Sequence, residues 1–146
     1  MKALIQRVLK AEVLVEKIVI GEIGSGVLVF FGVGRDDVPE KIELLARKII
    51  NLRIFGDKSD KMNLLVQDVG GEILVVPQFT LYADTRKGNR PSFGDASEPE
   101  AAREMCAQIV ETLEKLYPGH VQQGRFGADM QVSLVNDGPI TIMIEI

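Results

Sequence analysis

What constrains this chain most is the balance of strand-like and helical stretches. Apolar, β-branched runs bounded by turn residues occupy 3–8, 12–16, 18–21, 27–33, 73–76, 121–125, 130–135 and 140–146, whereas helical periodicity occurs only twice. In the first helical segment Asp37 and Glu40 have the spacing of a capping box, and Ile42, Leu45, Ala46, Ile49 and Ile50 follow on one face. In the second, Ser97 and Glu100 repeat that spacing, Ala102, Met105, Cys106, Ile109, Val110 and Leu113 form the stripe, and Pro118-Gly119 stops it. The run 27–33 is apolar on both sides and needs cover on both faces, while the alternation of Ile140, Ile142, Ile144 and Ile146 needs it on one. Two helices cannot cover so much sheet. The expected fold is α/β in three layers, helix/sheet/sheet, predominantly strands, with two amphipathic helices on one side and sheet against sheet on the other.

The 146 residues, 46% hydrophobic and 26% charged, suit one domain spanning 1–146. A chain of this length buries about 70% of its unfolded surface without a metal or disulfide, and a lone cysteine, Cys106, cannot form an internal disulfide. The longest apolar run is far short of the ~20 residues that span a bilayer. Lys2, Arg7 and Lys10 break up the N-terminal apolar residues before a signal-peptide core can form, so a cytoplasmic protein is expected. A net charge of −4 excludes a uniformly basic nucleic-acid surface and leaves room for a local basic patch.

Several chemistries are missing. His120 is the only histidine, which removes multi-histidine metal sites, and no metal or cofactor is expected. Cys106 sits in the middle of an apolar helical stripe, the opposite of a thiolate-stabilising setting, and is expected in the core. Gly24-Ser25-Gly26 and Gly32-Val33-Gly34 lack the third glycine of a dinucleotide fingerprint and read as turns. His120 begins a strand-like run, where it is either a general base or an ordinary strand-end residue.

Three segments offer more. Pro77-Gln78-Phe79-Thr80-Leu81-Tyr82-Ala83-Asp84 follows an apolar strand that Pro77 should end, leaving nearby amides free for a ligand. Asn136-Asp137-Gly138-Pro139-Ile140-Thr141 reads as a hairpin turn between two alternating strands, and Gly138–Pro139 is a place where a cis bond is affordable. Between them, 84–93 carries Arg86, Lys87 and Arg90 among glycine and proline, either a phosphate-holding loop or a solvated one.

With those segments in view the chain resembles the D-aminoacyl-tRNA deacylases, also called D-tyrosyl-tRNA deacylases. The likeness runs from Gln6-Arg7-Val8 through Asn51-Leu52-Arg53-Ile54-Phe55 to the last strand. It rests on Gln78-Phe79-Thr80-Leu81-Tyr82-Ala83-Asp84-Thr85-Arg86-Lys87-Gly88, Gly124-Arg125-Phe126-Gly127-Ala128-Asp129-Met130 and Asn136-Asp137-Gly138-Pro139-Ile140-Thr141. The resemblance implies that family's three-layer fold and an enzyme that hydrolyses the ester joining a D-amino acid, or glycine, to the terminal adenosine of tRNA, a chiral proofreading step. It implies a homodimer with the active site at the subunit interface, where Gly138 and Pro139 of one subunit reach into the other's site. By analogy Arg7 holds that loop, and Phe126 and Met130 lie near the adenosine. Pro77 stands where the family usually has serine, so no role for that hydroxyl carries over.

Residue chemistry then limits the mechanism. An unassisted threonine hydroxyl is a weak nucleophile, and 78–81 offers Thr80 no histidine, lysine or carboxylate as base. Direct attack by water, helped by the ribose 2′-hydroxyl, ranks first, with the Phe79 and Thr80 amides and Gln78 positioning the ester and Thr80 as nucleophile ranking second. Arg86, Lys87 and Arg90 are the expected tRNA-binding residues. The alternative is a non-catalytic RNA-binding module built on the same loop.

Overall fold

The computed structural model describes all 146 residues. Its spine is β1 (Lys2–Val15), which pairs on both edges. On one edge its first half runs antiparallel to β3 (Gly26–Gly32), with Ala3 opposite Phe31, and its second half antiparallel to β2 (Ile18–Ile23). Along the other edge lies β8 (Gln131–Glu145). The sheet continues from β3 through β6 (Glu72–Pro77) to β7 (Val121–Gln123), both parallel pairings.

The sheet curls until β2 meets β7. A Cβ on Gly21 would lie 2.9 Å from the carbonyl oxygen of Gln123, so only glycine allows that approach. Curling gives two apolar compartments. Outside, α1 (Ile42–Ile50) and α2 (Pro99–Leu116) lay Leu45, Ile49, Ile109 and Leu113 on Ile5, Val29, Phe31, Ile73 and Val75. Inside, Val8, Val13, Leu28, Leu74 and Val76 form a second core, with Met130, Val132 and Leu134 packed against it. The three layers are therefore the helices, the sheet and the sheet's own far wall. Both faces of β3 and β6 are covered, which accounts for their apolar sequence.

The strand count agrees with expectation only by compensation. The expected strands 3–8 and 12–16 are one strand, as are 130–135 and 140–146, and the small hairpin of β4 (Phe55–Gly56) and β5 (Met62–Leu64) was not foreseen. The expected hairpin turn at 136–141 is instead a bulge within β8. Thr141 pairs with Gln6 and Asn136 with Val8, leaving 137–140 opposite Arg7 alone. Proline is tolerated there because β8 is an edge strand and the bulge needs no ladder donor.

Both expected capping boxes are also absent. A 3₁₀ turn (Pro39–Lys41) leads into α1, and Asp37 accepts hydrogen bonds from the Met1 amino group (2.6 Å), Gly34 N (2.7 Å) and Tyr82 Oη (2.9 Å) instead. At α2, Pro99 opens the helix and Ser97 Oγ reaches only the Glu98 carbonyl, so no side chain caps the first turn.

Candidate active site

β6 stops at Pro77. Gln78 N donates to Phe31 O at 2.7 Å, and the chain then closes into a 3₁₀ turn (Phe79–Tyr82) at the end of the sheet. Within it Leu81 N donates to Gln78 O, and Ala83 N donates to Thr80 O beyond it. The Phe79 and Thr80 amides come first, where helical geometry offers no carbonyl one turn back. The Gln78 side chain folds onto Thr80, Nε2 donating to Oγ1 at 2.5 Å.

A cavity of about 480 Å³ opens beside this turn, between the sheet end and the first turns of α2. Pro77, Gln78 and Phe79 line one side, Ala102 and Cys106 the helix side, and Phe126 and Met130 the segment after β7. Four of the expected site residues thus share one wall system: Gln78, Phe79, Phe126 and Met130. Thr80 is exposed just outside and touches that wall through Gln78. None of the lining side chains is ionisable at neutral pH. Burial pushes the Cys106 thiol up to about 12, so it remains a packed, uncharged group. His120 stacks on Tyr117 at 4.2 Å and does not line the cavity.

Phe126 is fixed from two directions. Gly124 N donates to Val75 O at 2.8 Å, and the Arg103 guanidinium sits 5.1 Å from the Phe126 ring centre. Arg103 escaped sequence reading because nothing in its helical position marks a partner more than twenty residues away.

The bulge 137–140 forms a separate station. Arg7, with only 14% of its side chain exposed, donates from Nη1 to Ile54 O at 2.5 Å. Its Nε is 2.9 Å from Asp137 Oδ2 but is not aligned for a hydrogen bond, so the contact is an ion pair. Asn136 Oδ1 accepts from Ile140 N, and Asn136 Nδ2 donates to Thr141 Oγ1, both at 3.0 Å. Gly138 has φ +129°, its bond to Pro139 is cis, and both residues are exposed. Neither they nor Arg7 line the cavity of their own chain.

The basic loop closes where Asp84 and Ser92 exchange backbone hydrogen bonds of 2.8 and 2.9 Å. Arg86 folds back on Asp84 with two side-chain contacts, and this hydrogen bonding holds the Asp84 carboxyl down at about 2. Lys87 and Arg90 are exposed and have no carboxylate within salt-bridge distance. Phe93, just past the closure, sets its ring edgewise on Phe79 with centroids 5.0 Å apart. An aromatic beside a basic loop is a signal the sequence does carry.

No helix is long and apolar enough to cross a membrane. Residues 4–145 match the family model described as D-Tyr-tRNA(Tyr) deacylase. The D-aminoacyl-tRNA deacylase of Thermosipho africanus is 52% identical over 145 residues, covering 99% of this chain and 97% of that protein. That of Desulfitobacterium hafniense is 53% identical with the same coverage. Among solved structures, the c-Myc DNA Unwinding Element Binding Protein superposes with a TM-score of 0.94 at 43% identity, covering 99% of this chain and 98% of that one. A probable eukaryotic D-amino acid tRNA deacylase shares the fold with a TM-score of 0.85 at 18% identity, again covering 99% and 98%. With its strand-rich fold, its cavity at the Gln78 turn and a family match over nearly its whole length, this chain belongs to the D-aminoacyl-tRNA deacylases, a family of hydrolases.

Proposed function

We propose that residues 1–146 act as one deacylase domain that removes D-amino acids, and glycine, from tRNA in the cytoplasm, and that the working form is a homodimer. The observation that carries this reading is the cavity with Gln78 and Phe79 at one side, Phe126 and Met130 at another, and no ionisable lining group. Such a site is suited to holding an ester and a purine and lacks a protein base.

The chemistry follows from that poverty. Water attacks the ester carbonyl carbon, and the Phe79 and Thr80 amides donate to the oxyanion as it forms. The carbon–oxygen bond to the ribose then breaks, the ribose oxygen takes a proton, and free amino acid leaves. The neighbouring ribose 2′-hydroxyl orients the water and relays its proton. Gln78 fixes the turn, so the protein contributes mainly geometry.

Selectivity for the D configuration comes from the Gly138–Pro139 bulge of the second subunit, whose carbonyls grip the α-amino group. An L side chain then collides near Cα whatever its size, while glycine passes. Two features support the dimer. The exposed bulge lies outside its own cavity, and the outer edge of β8 is unpaired, with Val135 41% and Met143 49% exposed.

The test is to incubate the pure protein with D-tyrosyl-, L-tyrosyl- and glycyl-tRNA and follow ester loss over many turnovers. Release of D-tyrosine and glycine with L-tyrosyl-tRNA intact is expected. Tight binding without turnover would instead assign a non-catalytic RNA-binding module.

A further inference from the structure

We propose that Phe93 is a positioning residue, which carries the grip of the loop 85–91 on the tRNA backbone to the turn holding the ester, through its ring contact with Phe79. The inference rests on the deacylase reading above and adds to it a use for binding energy that is spent far from the reacting carbon.

The connection can be followed residue by residue. Lys87 and Arg90 are exposed cations without a carboxylate partner, free to meet phosphates. Arg86 is already spent on Asp84, so it shapes the loop rather than reaching outward. The paired hydrogen bonds between Asp84 and Ser92 make the loop a closed unit, and Phe93 is the next residue along. Its ring meets Phe79 edgewise, with an interplanar angle of 65°. Phe79 is the first residue of the 3₁₀ turn and lines the cavity. Phe79 is 57% exposed. The turn backbone is held by Gln78 N donating to Phe31 O and Leu81 N donating to Gln78 O, and the Phe93 ring is the contact that links the Phe79 side chain to the loop.

An edge-to-face aromatic pair is worth up to about one order of magnitude in an equilibrium. If phosphate contacts fix the loop, that factor is available to hold the Phe79 and Thr80 amides where the oxyanion forms. Binding energy from a remote part of a substrate then raises kcat and not only affinity, so a truncated substrate loses kcat.

The experiment compares kcat at saturation for D-tyrosyl-tRNA and for D-tyrosyl-adenosine, which has the ester and purine but no phosphates. The wild type should turn over the tRNA about tenfold faster. Phe93→Leu, and Phe93→Met alongside it to guard against a folding defect, should bring the ratio of the two kcat values to about one, and Phe93→Tyr should preserve it. Lys87→Ala/Arg90→Ala should also abolish the ratio, and adding Phe93→Leu to that pair should lower it no further. Equal loss on both substrates would reduce Phe93 to a structural residue and overturn the inference, as would losses that multiply. A wild type with equal kcat on both substrates overturns it while leaving the deacylase reading intact. A wild type that releases no D-tyrosine from tRNA refutes that reading itself.

Discussion

The bulge 137–140 and the basic loop 85–91 each contain a glycine, a proline and charge, yet they are held in opposite ways. The bulge is fixed along its length: Arg7 sits behind it beside Asp137, and the Asn136 side chain closes it onto Ile140 and Thr141. The loop is tied to the rest of the protein at its base, by the Asp84–Ser92 exchange and the Arg86–Asp84 pair, with one internal turn bond from Gly88 N to Thr85 O, and all of 85–91 is exposed. The difference separates two tasks. A segment that must present backbone groups at a set position is built against a largely covered cation, whereas one that meets a polyanion keeps its cations free and lets the ligand supply the order.

Removing Arg7 should break the contrast most strongly. Arg7→Ala deletes a 2.5 Å hydrogen bond from a largely buried guanidinium and leaves Asp137 without its counter-charge. A stability loss of about 2 kcal/mol follows from bonds to charged groups of this kind, measurable in urea. Displacing the bulge by about 1 Å should cost about 10²-fold in kcat/KM. Arg7→Lys should rescue little, because a single ammonium cannot serve Ile54 O and Asp137 in the same plane. Gly138→Ala should act in the same direction: at φ +129° a Cβ would stand 2.7 Å from Ile140 Cγ1 and 2.9 Å from Ile140 N, and about tenfold or more of activity should go with the shift.

The loop should respond differently. Lys87→Ala and Arg90→Ala should each flatten the salt dependence of tRNA binding by about one phosphate contact, with the fold unperturbed. Arg86→Ala should flatten it less, since Asp84 already neutralises that charge. A pH titration checks the same pairing. The Asp84 carboxyl lies at about 2 in the folded protein against an ordinary 3.8, a depressed value, so whatever its ion pair contributes is present above pH 4 and is lost as pH falls toward 2. NMR of the Arg86 side chain should show the pair parting in that window.

Periodicity made the layers legible. Ile42, Leu45 and Ile49 on α1 and the apolar β3 read correctly because burial acts on every third or fourth residue of a helix and on both faces of a covered strand. Bulges were not legible, because 136–140 carries the residues of a turn and only pairing with β1 tells the two apart. Asp37 misled for a related reason: the spacing of a capping box was present, but the Met1 amino group and Tyr82 compete for the same carboxylate. At the site, the Gln78 turn was visible because Pro77 ends a strand there. The contacts of Arg103 with Phe126 and of Arg7 with Ile54 join residues far apart in the chain, and one sequence holds no record of such pairs.

The smallest expected effect is at Thr80, and it bears most directly on mechanism. Thr80→Ala removes one side-chain contact, the bond from Gln78 Nε2, and leaves the backbone amide in place. For the hydroxyl to act as a nucleophile, a base must take its proton. Its one side-chain hydrogen-bond partner is the Gln78 amide, which donates from Nε2 to Thr80 Oγ1, occupies a lone pair there and cannot accept the hydroxyl proton. No carboxylate, lysine or histidine lines the adjoining cavity, and the Cys106 thiol, pushed up to about 12, cannot serve at neutral pH. The variant should therefore retain kcat/KM within about tenfold of the wild type, the loss tracing to a looser Gln78 rather than to missing chemistry. Gln78→Ala should cost at least as much, since it frees the same contact and also removes a side chain from the cavity wall. Rapid quenching of the wild type in mid-turnover, followed by mass spectrometry, should find no amino acid esterified to Thr80. An aminoacyl adduct on that residue together with an inactive Thr80→Ala would replace water with Thr80 as the attacking group.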